Sequence, residues 1–132
     1  MYLLDTNVCI HLLNGDHPQI NQHLASLKPK AISLCTIVQQ ELYFGAYRST
    51  KVQHNLNKLK RLLDLFTILE FDESAARIAG KIQADLKRQG VPIGAYDIQI
   101  AAVALANNLI VVTHNIREFQ RIQDLRYEDW EI

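Results

Sequence analysis

Short apolar runs that alternate with helix-length segments predict an α/β fold, with a mostly parallel central sheet and helices on both of its faces. Three observations carry that prediction. The runs YLLD, AISL, TILEF and LIVVT read as strands, and each is separated from the next by two helical segments. The segment YDIQIAAVALAN is apolar nearly all the way round after its first turn, as a core helix must be. Polar residues also interrupt the apolar pattern where strands end, beginning with Asp5 after YLL. Functional groups of open α/β sheets gather beyond the carboxyl ends of the strands.

The first strand spans 2–5, and a helix follows over 6–13, with Thr6 or Asn7 as N-cap and Asn14-Gly15 as its stop. A short helix, QINQHLASL, follows Pro18; a second strand covers 31–34 and a helix 36–47. Val52, Leu56, Leu59, Leu63 and Phe66 recur at helical spacing and predict a long amphipathic helix over about 50–65. The third strand is 67–71. Ala75, Ile78, Ala79, Ile82 and Leu86 then mark a helix over 73–89, closed by Gly90 and Pro92. The core helix occupies 96–107 and the cleanest strand 109–113, followed by a short helix, IREFQRI, and a terminal stretch around Tyr127–Trp130.

The 132 residues predict one domain, 1–132, with 48% apolar and 21% charged residues as in ordinary globular proteins. Fourteen basic and fourteen acidic residues cancel, so any site for a polyanion has to be local. Cys9 and Cys35 lie inside apolar runs without metal-ligand spacing and read as buried thiols of a reducing compartment. No basic leader precedes the first apolar run, and no uncharged apolar stretch approaches the ~20 residues of a membrane span. A cytoplasmic protein without a membrane partner is expected.

Three carboxylates lie at the margins of apolar elements. Asp5 ends the first strand and flanks a helix start. Glu41 sits near the apolar seam of TIVQQELYFGA, one turn after Ile37 and one before Gly45. Asp97 opens the core helix, where with Gly94 as N-cap a first-turn carboxylate stabilises the helix dipole by about 0.3–1 kcal/mol. Each has an ordinary structural role available to it. Together, at one edge of a parallel sheet, they would repel one another unless a cation neutralised them. Hard oxygen donors at a partly open edge suit Mg²⁺ or Mn²⁺. Thr113 and Asn115 follow the last clear strand, placed either to hydrogen-bond a water or phosphate or to cap IREFQRI. His114 between them reads as solvent-facing, and the five histidines show no zinc spacing.

Taken in order, LLDTN at 3–7, EL-x-x-G at 41–45, PIG-x-YD at 92–97, VVT-x-N-x-x-EF-x-R-I at 111–122 and L-R-x-EDW at 125–130 resemble PIN-domain ribonucleases. More narrowly they resemble the VapC-type toxins of toxin–antitoxin pairs. The resemblance implies a PIN-like three-layer α/β/α fold and a Mg²⁺- or Mn²⁺-dependent endoribonuclease that inhibits translation. It also implies a VapB-type antitoxin partner and a homodimer. Asp5, Glu41 and Asp97 match the family's acidic metal-binding positions, with Asp5 and Asp97 as direct ligands and Glu41 acting through water. Thr113 and Asn115 match its T-x-D/N position; Thr6 matches the hydroxyl after the first Asp, and Asn7 a polar residue that braces the site. Two departures stand out. Asn115 replaces a fourth carboxylate of many PIN nucleases, and Ala95 replaces a proline usual in this branch. Toxins of this type often cut structured transfer RNA, which makes initiator tRNA the leading substrate expectation. The alternative is a non-catalytic RNA-binding or scaffold protein on the same fold.

No acidic residue falls between Leu42 and Leu63, where Arg48, Lys51, Lys58, Lys60 and Arg61 accumulate. This is either a solvated helix face or a surface that tracks RNA phosphates toward the acidic edge, joined there by Arg117 and Arg121. Tyr43, Phe44 and Tyr47 read as core, dimer contact or antitoxin groove. An antitoxin helix in an apolar groove would place an Arg or Lys in the carboxylate cluster.

Overall fold

The computed structural model describes residues 1–132. Strand β1 (Tyr2–Leu4) leads into α1 (Thr6–Asn14) and α2 (Pro18–Ala25); a 3₁₀ turn, Pro29–Ala31, precedes β2 (Ile32–Cys35). Helices α3 (Thr36–Tyr47) and α4 (Val52–Leu63) come next, then β3 (Thr67–Leu69), α5 (Glu73–Gln89) and α6 (Ala95–Ala106). The chain closes with β4 (Ile110–Val112), α7 (Ile116–Phe119) and β5 (Tyr127–Glu128).

The sheet order is β3-β2-β1-β4-β5, and every pairing is parallel. The chain starts at the centre, walks outward through β2 and β3, then returns to the other side of β1. Right-handed crossovers therefore place α1–α4 on one face and α5–α6 on the other. The reversal of direction falls between β1 and β4, and a crevice opens at such a switch point beyond the carboxyl strand ends. That is where Asp5 and Thr113 lie.

The central strands are buried on both faces: Leu3, Leu4, Ile32, Leu34, Val111 and Val112 are all fully inaccessible. On α6, Ile100 to Ala104 form a buried run, and its alanines let the helix pack closely on α5, itself studded with Ala75 and Ala79. Trp130 fills the region beside β1. Its ring stands edge-on to Tyr2 at 5.3 Å and stacks on His23 at 5.2 Å. Both cysteines are buried and unpaired. No helix is long and apolar enough to cross a membrane.

Four details depart from the sequence expectation. The N-cap of α1 is Asp5, whose Oδ1 accepts the Val8 N–H at 3.1 Å, not Thr6 or Asn7. The second strand is shifted one residue, to 32–35, because the 3₁₀ turn takes up Ala31. Only one turn of IREFQRI is helical; a left-handed residue at Asp124 then swings the chain back to the sheet. The terminal stretch supplies a fifth strand, with Thr113 N–H donating to Glu128 O at 3.0 Å.

Candidate functional site

Asp5 is 6% exposed although it is a carboxylate at the tip of a core strand. Its backbone N–H continues the ladder to Val112 O at 3.1 Å, so its position is fixed by the sheet. Burial pushes its pKa up; the Thr113 hydroxyl and the Val8 N–H draw it back, and the charges of Glu131 and Glu41 raise it further. Thr113 is fully buried, and its Oγ1 also accepts the Asn115 N–H at 2.9 Å, which shapes the loop leaving β4.

Glu41 reaches the same edge from the second turn of α3. Its Oε1 accepts the Thr6 hydroxyl at 2.6 Å, a short bond that joins the start of α1 to α3. Asn7, one residue on, is exposed and holds no hydrogen bond to another side chain.

Asp97 comes from the first turn of α6, behind the N-cap Gly94. Its Oδ2 accepts the Asn115 amide at 3.1 Å, and the same Nδ2 donates to Glu118 Oε2 at 3.3 Å. The Asp97 pKa is raised to about 7, first by burial, then by a hydrogen bond and charge repulsion from Glu118, with smaller pushes from Asp5 and Glu41. Asn115 occupies the N-cap position of α7 but makes no side-chain cap bond; its amide serves the carboxylates instead. Glu118, one helical turn beyond Asn115, is a fourth carboxylate that sequence reading passed over. A spacing of three residues places both side chains on one helix face, which was the available signal.

The structure thus brings Asp5, Glu41, Asp97, Thr113, Asn115 and Thr6 to one edge and adds Glu118. None of the four carboxylates there forms an ion pair with a lysine or arginine. Several mutually repelling oxygen donors, partly desolvated and not ion-paired to a lysine or arginine, could hold a hard dication.

The basic residues are spread more widely. Lys58 is half-buried and shares with Glu41 the lining of a cavity of about 230 Å³ walled by Ile10, Leu13, Leu42 and Leu59. Lys51, at the N-cap of α4, and Arg61 are exposed, and Lys60 is paired with Asp64 at 3.0 Å along its own helix. The Arg48 guanidinium covers the Phe44 ring at 5.3 Å. Arg117 is exposed, whereas Arg121 donates to Pro92 O at 3.3 Å, in the loop before α6. Tyr43, Phe44 and Tyr47 are exposed, at 39%, 64% and 64%, so they do not belong to the core.

Sequence reading also passed over Asp129 and Glu131, which follow β5. Asp129 pairs with the exposed His114 at 2.9 Å, and that hydrogen bond, with the charges of Asp129 and Glu131, raises the His114 pKa.

Comparison with known proteins identifies one family and one fold. The family model described as the PIN domain matches residues 2–125. The tRNA(fMet)-specific endonuclease VapC of Salmonella typhimurium is 36% identical over 129 residues, covering 98% of this chain and 97% of the relative. The VapBC2 structure from Rickettsia felis, bound to a DNA fragment from its promoter, superposes with a TM-score of 0.91 at 34% identity over 98% of both chains. DNA-bound VapBC from Salmonella typhimurium gives a TM-score of 0.92 at 36% identity, covering 98% of this chain and 97% of that one.

Proposed function

The chain belongs to the PIN-domain family, and from that premise we propose that it is the endoribonuclease toxin of a toxin–antitoxin pair, with a VapB-type antitoxin as its partner. The observation that carries the reading is the convergence of Asp5, Glu41, Asp97 and Glu118 beyond the carboxyl ends of β1 and β4, with none of them ion-paired to a lysine or arginine. Relatives named as VapC ribonucleases, similar over nearly their full length, support it. In this reading residues 1–132 are one catalytic domain.

The cofactor we assign is Mg²⁺ or Mn²⁺, held by Asp5 and Asp97, with Glu41 acting through water. Such an ion lowers the pKa of a bound water and stabilises charge on a phosphodiester. The chain's own groups do the rest. Thr113 and the Val8 N–H fix the Asp5 carboxylate, Thr6 aims Glu41, and the Asn115 amide donates a hydrogen bond to both Asp97 and Glu118. Asp97, whose pKa burial and Glu118 raise to about 7, would have to be ionised to hold such a cation. Lys58, beside Glu41, and Arg61 on the same helix are placed to receive RNA phosphates. The substrate we favour is a structured RNA of the initiator tRNA class, the specificity named for the Salmonella relative. The cavity beside Glu41 is where we seat an apolar antitoxin segment, its basic residue facing the carboxylates. A homodimer accords with the exposed aromatics of α3.

The test is cleavage of RNA, initiator tRNA included, by purified protein. Cleavage is expected with Mg²⁺ or Mn²⁺ and is expected to stop in excess EDTA. Asp97→Asn should lower the rate at least about a hundredfold, the loss of ~3 kcal/mol of transition-state stabilisation. Undiminished cleavage in chelator would overturn the metal assignment, and wild-type activity in Asp97→Asn would overturn the site.

A further inference from the structure

A second gathering of metal-ligating side chains lies around the C-terminal segment, with His114 on the loop after β4 and Asp129 and Glu131 beyond β5. His114 Nδ1 stands 2.9 Å from Asp129 Oδ2 and 4.0 Å from Glu131 Oε2. One ligand atom from each of the three lies within 4.8 Å of the others. The pairing of β5 with β4 creates this proximity, because it brings the residues after Glu128 alongside the loop after Thr113.

The remaining carboxylate oxygens are already held. Asp129 Oδ1 accepts the Glu131 N–H at 2.9 Å. Glu131 Oε1 faces His17 Nε2 at 3.4 Å and His11 Nε2 at 3.8 Å, and His11 Nδ1 is in turn bonded to Asp16 Oδ1 at 2.8 Å. Each acid therefore has one oxygen tied to the protein and the other turned toward the same imidazole nitrogen. Carboxylates that ligate a metal are commonly oriented by hydrogen-bonded partners behind them in this way. No lysine or arginine competes for Asp129 or Glu131.

We propose that His114 Nδ1, Asp129 Oδ2 and Glu131 Oε2 form a binding site for a transition-metal dication of the zinc class, distinct from the carboxylate cluster at Asp5. An imidazole nitrogen between two carboxylates favours Zn²⁺, Co²⁺ or Ni²⁺ over Mg²⁺. Donors at about 2.0–2.2 Å from Zn²⁺ stand roughly 3.0–3.5 Å from one another. The observed separations of 2.9 and 4.0 Å bracket that range, so small side-chain adjustments complete the site. Three protein ligands leave a fourth position for water or another oxygen. An ion there fastens the C-terminal segment to the loop that carries Thr113 and Asn115, and it neutralises Glu131, whose charge acts on Asp5. The site stands on its own geometry, whatever the nuclease cluster does.

The experiment is a titration of the full chain carrying Asp97→Asn, which weakens the carboxylate cluster, with Co²⁺ and then Zn²⁺. Trp130 is the sole tryptophan and lies between two of the proposed ligands, so its fluorescence reports occupancy, and Co²⁺ absorption reports nitrogen and oxygen coordination. One ion per chain should bind and resist displacement by a large excess of Mg²⁺. His114→Ala and, separately, Glu131→Gln should each weaken binding by roughly tenfold or more, with an unchanged circular-dichroism spectrum. His114 is exposed, so its removal spares the fold. Equal Co²⁺ affinity in both variants, displacement by Mg²⁺, or no saturable binding below millimolar metal would overturn the proposal.

Discussion

Asn115 donates its side-chain amide to Asp97 Oδ2 at 3.1 Å, from the loop after β4 to the first turn of α6. The same nitrogen serves Glu118 at 3.3 Å. One neutral donor thus bridges two acids whose charges repel each other.

Asn115→Asp removes that donor and adds a further negative charge. Loss of a hydrogen bond to a charged group costs about 1.5–3 kcal/mol, so the metal-free protein should melt at a lower temperature. The rise in melting temperature on adding Mg²⁺ should exceed that of the wild type, because the cation now offsets more repulsion. Equal rises in the two proteins would show that Asn115 does not face the metal.

The raised pKa of Asp97 sets the sign of a pH effect. Its folded pKa, about 7, lies above the ordinary 3.8, so the folded state binds this proton more tightly than the unfolded chain. The contribution is fully present below pH 3.8 and is lost as pH rises toward 7. In EDTA, Asp97→Asn should therefore gain stability relative to the wild type as pH climbs through that window. Urea midpoints at several pH values would measure the difference; a constant gap across the window would exclude Asp97 as the titrating group.

Thr6→Val keeps the shape of residue 6 and deletes its hydroxyl. Glu41 then loses a 2.6 Å bond and is free to rotate. Stability should fall by only about 1 kcal/mol, while RNA cleavage should drop by roughly ten- to a hundredfold, as when a group behind a metal ligand is lost. A cleavage loss no larger than the stability loss predicts would make Thr6 a fold residue alone.

Reversal of Lys58 and Arg61 to Glu should weaken RNA binding without altering the circular-dichroism spectrum. The dependence of log K on log salt should become shallower by roughly 0.9 for each phosphate contact removed. An unchanged slope, measured by filter binding across a salt series, would return both residues to the role of a solvated helix face.

The elements most legible in the sequence carried their own stop signals. Helix α5 begins where Asp72 caps it, accepting the Ala75 N–H at 2.9 Å, and ends at Gly90 in the left-handed conformation. Strand β5 has two residues, too few for an alternation to register, and only its neighbour β4 makes it a strand. Ile116, Phe119 and Ile122 imitate a longer helix, but the chain leaves it to reach that fifth strand. In the site, Asp5 and Asp97 stood out because each interrupts an apolar element. Glu118 did not, since an acid on the polar side of a short helix resembles any wetted residue until the fold turns it toward Asn115. His11, His17, Asp129 and Glu131 come from opposite ends of the chain, and no local spacing could have joined them.

Helix α6 carries Asp97 at its first turn and Ala101, Ala102 and Ala104 in its buried middle. A helix behaves as a stiff rod, with Ala104 about 10 Å along the axis from Asp97. Any enlargement of those alanines has nowhere to go except into displacement of the rod, and the acid at its tip travels with it. Misplacement of a reacting group by about 1 Å costs on the order of a hundredfold in rate. The hydrocarbon interior is therefore the gauge that sets where the acid stands, and a screen for loss of toxicity in living cells should recover Ala→Val and Ala→Leu changes there beside substitutions of the carboxylates themselves.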